Sequence, residues 1–193
     1  IQNIRNGEIS GINVTVPFKQ KIIPFLDKLS KLAKKTQSVN TVYLKDNEVV
    51  GDNTDVYGFE QSIKKTGIEL NDKVALILGA GGVVPSIISA LEGLFLRKIY
   101  ITNRTFKKAK QLQEKYPNLE IVKWGELVKF DIIINATSVG LRVEDKLDLD
   151  LKKISEKKFF FDTIYNPPET DFLNKAKING HLTMNGKFML IYQ

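Results

Sequence analysis

A run of five apolar residues, Val74 to Leu78, leads directly into the turn Gly79-Ala80-Gly81-Gly82. A strand without alternating polar residues suits a parallel sheet that is covered on both faces. A glycine turn between such a strand and a helix lets a pyrophosphate approach the backbone and meet the N–H groups of the helix start. The third glycine of the G-x-G-x-x-G spacing is replaced by Val84, so the motif is a variant, and a glycine turn without a ligand is the alternative interpretation.

The chain beyond this turn alternates short β-branched or apolar runs with longer amphipathic runs. Strands are predicted over 99–102, 119–124, 131–135 and 159–162, and helices over 86–96, 106–116 and 170–178. Repetition at this spacing implies right-handed crossovers between parallel strands. The sequence therefore predicts an α/β fold with a doubly wound, Rossmann-like sheet.

The first third of the chain predicts shorter elements. Apolar residues at helical spacing favour a helix from Pro24 to about Lys35, since proline suits a first turn. The remaining predictions are a strand over 11–16, a hairpin over 40–51 and a helix from Asp55 to about Lys65, which Gly67 ends.

The segment from Asn103 to Lys108 bears on the form of the dinucleotide. NAD enzymes usually place an acidic residue here for the ribose 2′-hydroxyl, and this segment has none. Arg104 can instead pair its planar guanidinium with a 2′-phosphate, and Lys108 adds a positive charge. The alternative is a helix capped by Thr105 with solvated cations, although Thr105 is able to do both. The segment favours NADP over NAD.

Two further polar clusters, residues 13–19 and 51–55, lie ahead of the glycine turn. A Lys–Asp pair formed by Lys19 and Asp55 in a cleft beside a nicotinamide would move a proton to or from a carbinol oxygen. Spacing alone favours a surface lysine and a helix-capping aspartate. The ladder of acidic residues in a calcium loop is absent, and no metal site is expected.

Two single residues receive structural interpretations. His181 is the only histidine and Trp124 the only tryptophan. We interpret His181 as a solvated or packed side chain and Trp124 as a core residue rather than a stacking platform.

Composition narrows the possible partners. The net charge is +7, but the lysines are scattered, and no run reaches the five or six like charges of a nucleic-acid-binding arm. The absence of cysteine excludes disulfides and thiolate chemistry and fits a cytoplasmic location. No apolar stretch approaches the roughly 18 residues of a membrane span, and no signal segment opens the chain.

Taken together, the polar motifs resemble those of the shikimate dehydrogenase family. They occur in that family's order and cover essentially the whole chain. The motifs are residues 13–19, 39–41, 51–55, 79–82, 103–105, 135–138 and 162–167, followed by 185–186, 189–190 and 193.

The resemblance implies reversible, NADP-dependent reduction of 3-dehydroshikimate to shikimate, in the pathway to chorismate and aromatic amino acids. Lys19 would be the catalytic proton donor or acceptor, with Asp55 as its partner. Substrate contacts would come from Thr15, Lys19, Asn40, Asp55, Tyr165 and Gln193. NADP contacts would come from Gly79, Ala80, Gly81, Gly82, Val83, Asn103, Arg104, Thr105, Lys107, Lys108, Thr163 and Gly186.

The same resemblance implies a smaller α/β substrate domain, residues 1–54 with 186–193, and an NADP domain, residues 55–185. The family's upstream segment, which holds a serine pair, and its closing helix have no counterpart in this sequence. Phe188 also replaces a second family glycine. Alternatives are a quinate/shikimate dehydrogenase of broader specificity and a non-catalytic, ligand-binding regulatory homologue. The expected assembly is a monomer or homodimer.

Overall fold

The computed structural model describes residues 1–142 and 144–193 and shows two separate sheets. The first sheet has the strand order β1-β3-β4-β2, in which only the β2–β4 pair is parallel. Its strands are β1 (Gly11–Asn13), β2 (Lys28–Leu29), β3 (Thr41–Lys45) and β4 (Glu48–Asp52), with helices α1 (Gln2–Arg5) and α2 (Lys31–Thr36).

The β3–β4 hairpin confirms the prediction over 40–51. Its turn residues Asp46 and Asn47 have φ angles of 51° and 62°. Two central residues with positive φ match the twist of the flanking strands, and Asx residues tolerate that conformation.

The helix predicted from Pro24 to Lys35 is wrong in its first half. Pro24 belongs to a single 3₁₀ turn, Ile23–Phe25, and Leu29 lies in β2, opposite Gly51. The helix begins only after Ser30, whose Oγ accepts a hydrogen bond from the backbone N–H of Ala33 at 3.1 Å. Tertiary strand pairing therefore overrides the helical spacing of the leucines. The strand predicted over 11–16 also ends early, at Asn13.

The second sheet has six parallel strands in the order β10-β9-β8-β5-β6-β7. This confirms the doubly wound fold, because the order reverses direction beside β5. The strands are β5 (Val74–Leu78), β6 (Lys98–Thr102), β7 (Leu119–Ile121), β8 (Ile132–Asn135), β9 (Phe159–Asp162) and β10 (Leu182–Met184). The helices are α3 (Asp55–Lys65), α4 (Val84–Gly93), α5 (Phe106–Lys115), α6 (Asp171–Ile178) and α7 (Lys187–Tyr192).

Strand β5 is buried along its whole length, as its unbroken apolar run predicts. Ala75 and Ile77 join a hydrophobic cluster on one face of the sheet, and Val74, Leu76 and Leu78 join a cluster on the other. Helices therefore cover both faces. None of the helices in residues 1–142 and 144–193 is long and apolar enough to cross a membrane.

A buried amide connects the first sheet to α4. The Asn53 Nδ2 atom donates to Ser38 O at 2.8 Å and lies 2.9 Å from Ser86 Oγ, while Asn53 Oδ1 accepts from the backbone N–H of Val56 at 3.3 Å. Because Asn53 and Ser86 are both fully buried, these bonds fix the hairpin against the helix that follows the glycine turn.

Candidate active site

Lys19 and Asp55 form a buried ion pair. Lys19 lies in the turn after β1, and its Nζ donates to Asp55 Oδ2, at the start of α3, at 2.6 Å. Their side chains are 13% and 3% exposed. Lys19 is therefore not the surface lysine that spacing alone favours. Asp55 is not the helix cap either, since Thr54 occupies the N-cap position and Asp55 is the first residue of α3.

Asn40 fixes the carboxylate from its other side. Its Nδ2 donates to Asp55 Oδ1 at 3.1 Å and to Thr54 Oγ1 at 2.9 Å, and its Oδ1 accepts from the backbone N–H of Thr54 at 2.9 Å. Gln193 Oε1 lies 3.5 Å from Asn40 Nδ2. Four of the predicted substrate residues thus form one hydrogen-bonded cluster.

Thr15 and Tyr165 are exposed, and neither belongs to this hydrogen-bonded cluster. No hydrogen bond among residues 1–142 and 144–193 joins either side chain to Lys19, Asn40 or Asp55. The substrate contacts of all six predicted residues stay predictions.

The glycine turn leaves space and donors for an anion. Gly79 has a φ of 106°, and a Cβ atom there would lie 2.8 Å from the carbonyl oxygen of Ala136, so only glycine fits. Within the described part of the chain, no protein acceptor pairs with the backbone N–H groups of residues 80–83. Val84, in place of the third glycine, is fully buried in the core. The turn therefore presents amides at the start of α4, as a phosphate requires.

A cleft of about 550 Å³ runs along the carboxyl ends of the parallel strands. Ten of the twelve predicted cofactor residues line it, the exceptions being Lys107 and Gly186, and the cofactor contacts of all twelve stay predictions. The lining from this set is Gly79, Ala80, Gly81, Gly82, Val83, Asn103, Arg104, Thr105, Lys108 and Thr163.

The part of this cleft formed by Arg104, Thr105 and Lys108 carries positive charge. Asn103 Nδ2 donates to the carbonyl of Thr105 at 2.8 Å and thereby shapes the turn before α5. Thr105 occupies the N-cap position, but its side chain accepts no capping hydrogen bond. No ion pair within the described residues involves Arg104 or Lys108, which leaves both cations available for a phosphate.

Gly186 packs closely against the backbone of Thr163. A Cβ atom on Gly186 would overlap the carbonyl of Thr163, and the Gly186 N–H donates to Ile164 O at 3.0 Å. A side chain at position 186 would therefore displace the backbone of Thr163, which lines the cleft.

The cleft has further lining residues to which the sequence analysis gave no site role. Four of them follow β8, although residues 135–138 are one of the family motifs. Ala136, Thr137, Ser138 and Val139 line the cleft beside the glycine turn. The signal available was their position, since the carboxyl ends of neighbouring parallel strands meet at one edge.

The side chains of Asn135 and Asp162 join the carboxyl ends of β8 and β9 through hydrogen bonds. Asn135 Nδ2 donates to Asp162 Oδ1 at 3.1 Å, and Asn135 Oδ1 accepts from Thr137 Oγ1 at 2.7 Å. Burial raises the pKa of Asp162, while hydrogen bonds from Thr170, Ile164 and Asn135 oppose that shift.

Trp124 is not a core residue, so that prediction is wrong. Its side chain is 42% exposed and lines the cofactor cleft, whereas Val122, Leu127 and Val128 pack against the core. Strand β7 ends at Ile121 rather than at Trp124, which leaves the indole in the turn beyond the strand.

A doubly wound sheet, a glycine turn with unpaired amides, a basic segment in the adjoining cleft and a buried Lys–Asp pair together define a nicotinamide-dependent dehydrogenase. Comparison with known proteins narrows the class. The family model for the shikimate dehydrogenase substrate-binding domain matches residues 1–42, and the model for shikimate/quinate 5-dehydrogenase matches residues 61–178. The chain belongs to the shikimate dehydrogenase family.

Individual relatives agree with this assignment. The NADP(+) shikimate dehydrogenase of Pelagibacter ubique is 57% identical over the whole chain, which spans 73% of that relative. The crystal structure of the Aquifex aeolicus shikimate dehydrogenase has a TM-score of 0.91 at 40% identity, covering 99% of this chain and 71% of that one. The Thermus thermophilus enzyme, solved with NADP(H) and shikimate, has a TM-score of 0.88 at 32% identity, covering 98% and 71%.

Proposed function

We propose that this chain catalyses the reversible reduction of 3-dehydroshikimate to shikimate with NADPH, in the pathway to chorismate and the aromatic amino acids. The observation that carries the proposal is the buried Lys19–Asp55 pair, in a chain that shikimate dehydrogenases match along its length. Val16, three residues before Lys19, lines the cofactor cleft, which supports a reaction centre between the pair and the cleft.

The proposed division of labour follows the two sheets. Residues 1–54 with 186–193 would bind the substrate, and residues 55–185 would bind NADP. The sheet β1–β4 lies entirely in the first set and the sheet β5–β10 entirely in the second, which supports this boundary. Helix α7 packs on α3 and Met189 joins the core of the second set, while Gln193 Oε1 lies 3.5 Å from Asn40 Nδ2 in the first set, so the carboxyl-terminal segment contacts both.

The residues present fit NADP. The unpaired amides of the glycine turn suit the pyrophosphate, and Arg104 with Lys108 suits a 2′-phosphate. When bound, the dinucleotide supplies or accepts the hydride.

Lys19 moves the proton in this scheme. In the reduction direction its Nζ gives a proton to the substrate carbonyl oxygen, and in the oxidation direction it takes the proton back. The Asp55 carboxylate, 2.6 Å away, holds Nζ in position. Asn40 and Gln193 would bind substrate hydroxyl groups, joined by Thr15 and Tyr165. Asn40 is buried, and a buried polar partner of this kind rejects analogues that lack a hydroxyl.

The experiment is shikimate-dependent reduction of NADP⁺ and of NAD⁺ by the full-length protein, beside Lys19→Ala and Lys28→Ala. Lys28 is the control because its side chain is 63% exposed in an ion pair with Glu48. We expect turnover with NADP⁺ that Lys19→Ala abolishes without loss of fold and Lys28→Ala retains. A wild-type protein that binds NADP⁺ but oxidises neither shikimate nor quinate would make the non-catalytic homologue the better assignment.

Quinate is the second candidate substrate, because the family model over residues 61–178 covers shikimate and quinate dehydrogenases together. The ratio of kcat/KM for the two acids decides between them. We also propose a cytoplasmic enzyme that is a monomer or a homodimer, which cell fractionation and light scattering would test.

A further inference from the structure

The carboxyl edge of the parallel sheet presents its cleft residues in spatial order. The glycine turn follows β5, Arg104 follows its neighbour β6, and Trp124 follows the edge strand β7. A dinucleotide whose pyrophosphate meets the glycine turn and whose 2′-phosphate meets Arg104 has its adenine still to place. The next position along this edge belongs to Trp124.

Trp124 is a large, exposed aromatic side chain in the wall of the cleft. An indole is among the largest apolar side chains, and its usual place is a core or an interface. Trp124 instead presents its surface to a cleft that also contains exposed Leu141, 56% accessible, from the loop after β8. Its neighbours Val122 and Leu127 do pack inward, so the chain at this point is close enough to the core to bury apolar groups. Gly125, with a φ of 84°, completes the turn that carries the indole.

We propose that Trp124 stacks on the adenine ring of the dinucleotide and is a principal determinant of NADP affinity. The inference rests on the proposed function, because it takes the cleft as the NADP site, and it adds a residue to that site. Stacking between an aromatic side chain and a base tolerates any base but requires a flat π-face. It acts on the adenosine half alone and leaves the nicotinamide half unaffected.

The test uses the full-length protein and two ligands, NADP⁺ and adenosine 2′,5′-bisphosphate, with affinities measured by calorimetry. The second ligand carries the adenine and the 2′-phosphate but no nicotinamide. Trp124→Ala removes the ring, Trp124→Phe keeps a smaller one, and Phe25→Ala is the control, since Phe25 is 62% exposed and does not line the cleft.

We expect Trp124→Ala to lower the affinity for both ligands by about tenfold or more. Trp124→Phe should retain most of the affinity, and Phe25→Ala should leave it unchanged. The bisphosphate should also quench the fluorescence of the wild type, with Trp124→Phe giving the background. In steady state, the KM for NADP⁺ should rise in Trp124→Ala while the KM for shikimate does not.

Wild-type affinity for the bisphosphate in Trp124→Ala, with the fold intact by circular dichroism, would overturn the stacking role and leave the proposed function in place. A wild-type protein that binds neither NADP⁺ nor the bisphosphate would overturn the proposed function itself, and the stacking role with it.

Discussion

Lys19 Nζ and Asp55 Oδ2 lie 2.6 Å apart although 36 residues separate them in the sequence. The pair joins the turn after β1 to the first residue of α3, and Asn40 holds the second carboxylate oxygen. A proton-transfer group that is fixed in this way is already oriented before substrate binds.

Replacing Asp55 with Asn tests this orientation. The amide oxygen still accepts from Asn40, but an N–H group then faces the Lys19 ammonium in place of an oxygen. We expect kcat for shikimate oxidation to fall by about 10²- to 10⁴-fold, the usual contribution of a positioned acid–base group. Initial rates at saturating substrate measure it. Glu48→Gln, which breaks the exposed pair with Lys28, should leave kcat unchanged.

Replacing Arg104 with Gln tests the cofactor preference. The cation lines the cleft, and its loss would remove a charge-assisted partner for the 2′-phosphate. We expect the KM for NADP⁺ to rise by about tenfold and the KM for NAD⁺ to stay unchanged. Arg97→Gln is the matched control, because Arg97 precedes β6 and so lies at the amino end of the strand, away from the cleft at the carboxyl ends. An equal rise for both dinucleotides would argue against a 2′-phosphate contact.

The parallel sheet could be predicted because burial on both faces leaves a direct mark on the sequence. Val74 to Leu78 has no polar residue, and all five side chains are buried. The helix at Pro24 failed for the opposite reason. Leu29 and Leu32 have helical spacing, but Leu29 pairs within a sheet and Leu32 lies in α2, so two elements share one apparent period. Strand β10 and helix α7 are too short for a period to be visible.

The sequence predicted which residues belong to the candidate site better than it predicted the burial and contacts of their side chains. Trp124 illustrates the limit, since the choice between core and cleft depends on where β7 ends. Asn53 is a second example. Nothing in the local sequence indicates that its amide would meet Ser86, 33 residues away, inside the protein.

That amide gives a stability prediction. Asn53→Ala leaves the buried Ser86 hydroxyl without its partner and removes the shorter of the two hydrogen bonds to the Ser38 carbonyl, so we expect a loss of about 1–3 kcal/mol in the free energy of unfolding. Urea denaturation measures it. Ser86→Ala should lower the free energy of unfolding by less. The double variant should lower it by less than the sum of the two single losses, because both substitutions remove the same contact. Additive losses would show that the two residues act independently.

His181 gives the pH prediction. Its ring stacks on Phe160 at 4.9 Å between centroids, and its Nδ1 accepts from the backbone N–H of Lys158 at 3.4 Å. Burial, followed by the charge of Lys158, lowers the pKa of His181 below its ordinary value of 6.5. The unfolded chain therefore takes up the proton first as the pH falls. The contribution of neutral His181 to the free energy of unfolding is fully present above about pH 7 and is lost as the pH drops through 6.5.

His181→Asn isolates this effect, since the amide oxygen replaces the Nδ1 acceptor but does not titrate. The free energy of unfolding from urea titrations should fall between pH 7.5 and pH 5 more steeply in the wild type than in the variant. Asp162 has the opposite sign, because its raised pKa makes the folded protein take up a proton before the unfolded chain does. Both proteins retain Asp162, so the difference between their slopes belongs to His181, and identical slopes would show that its pKa is the same in the folded and unfolded chains.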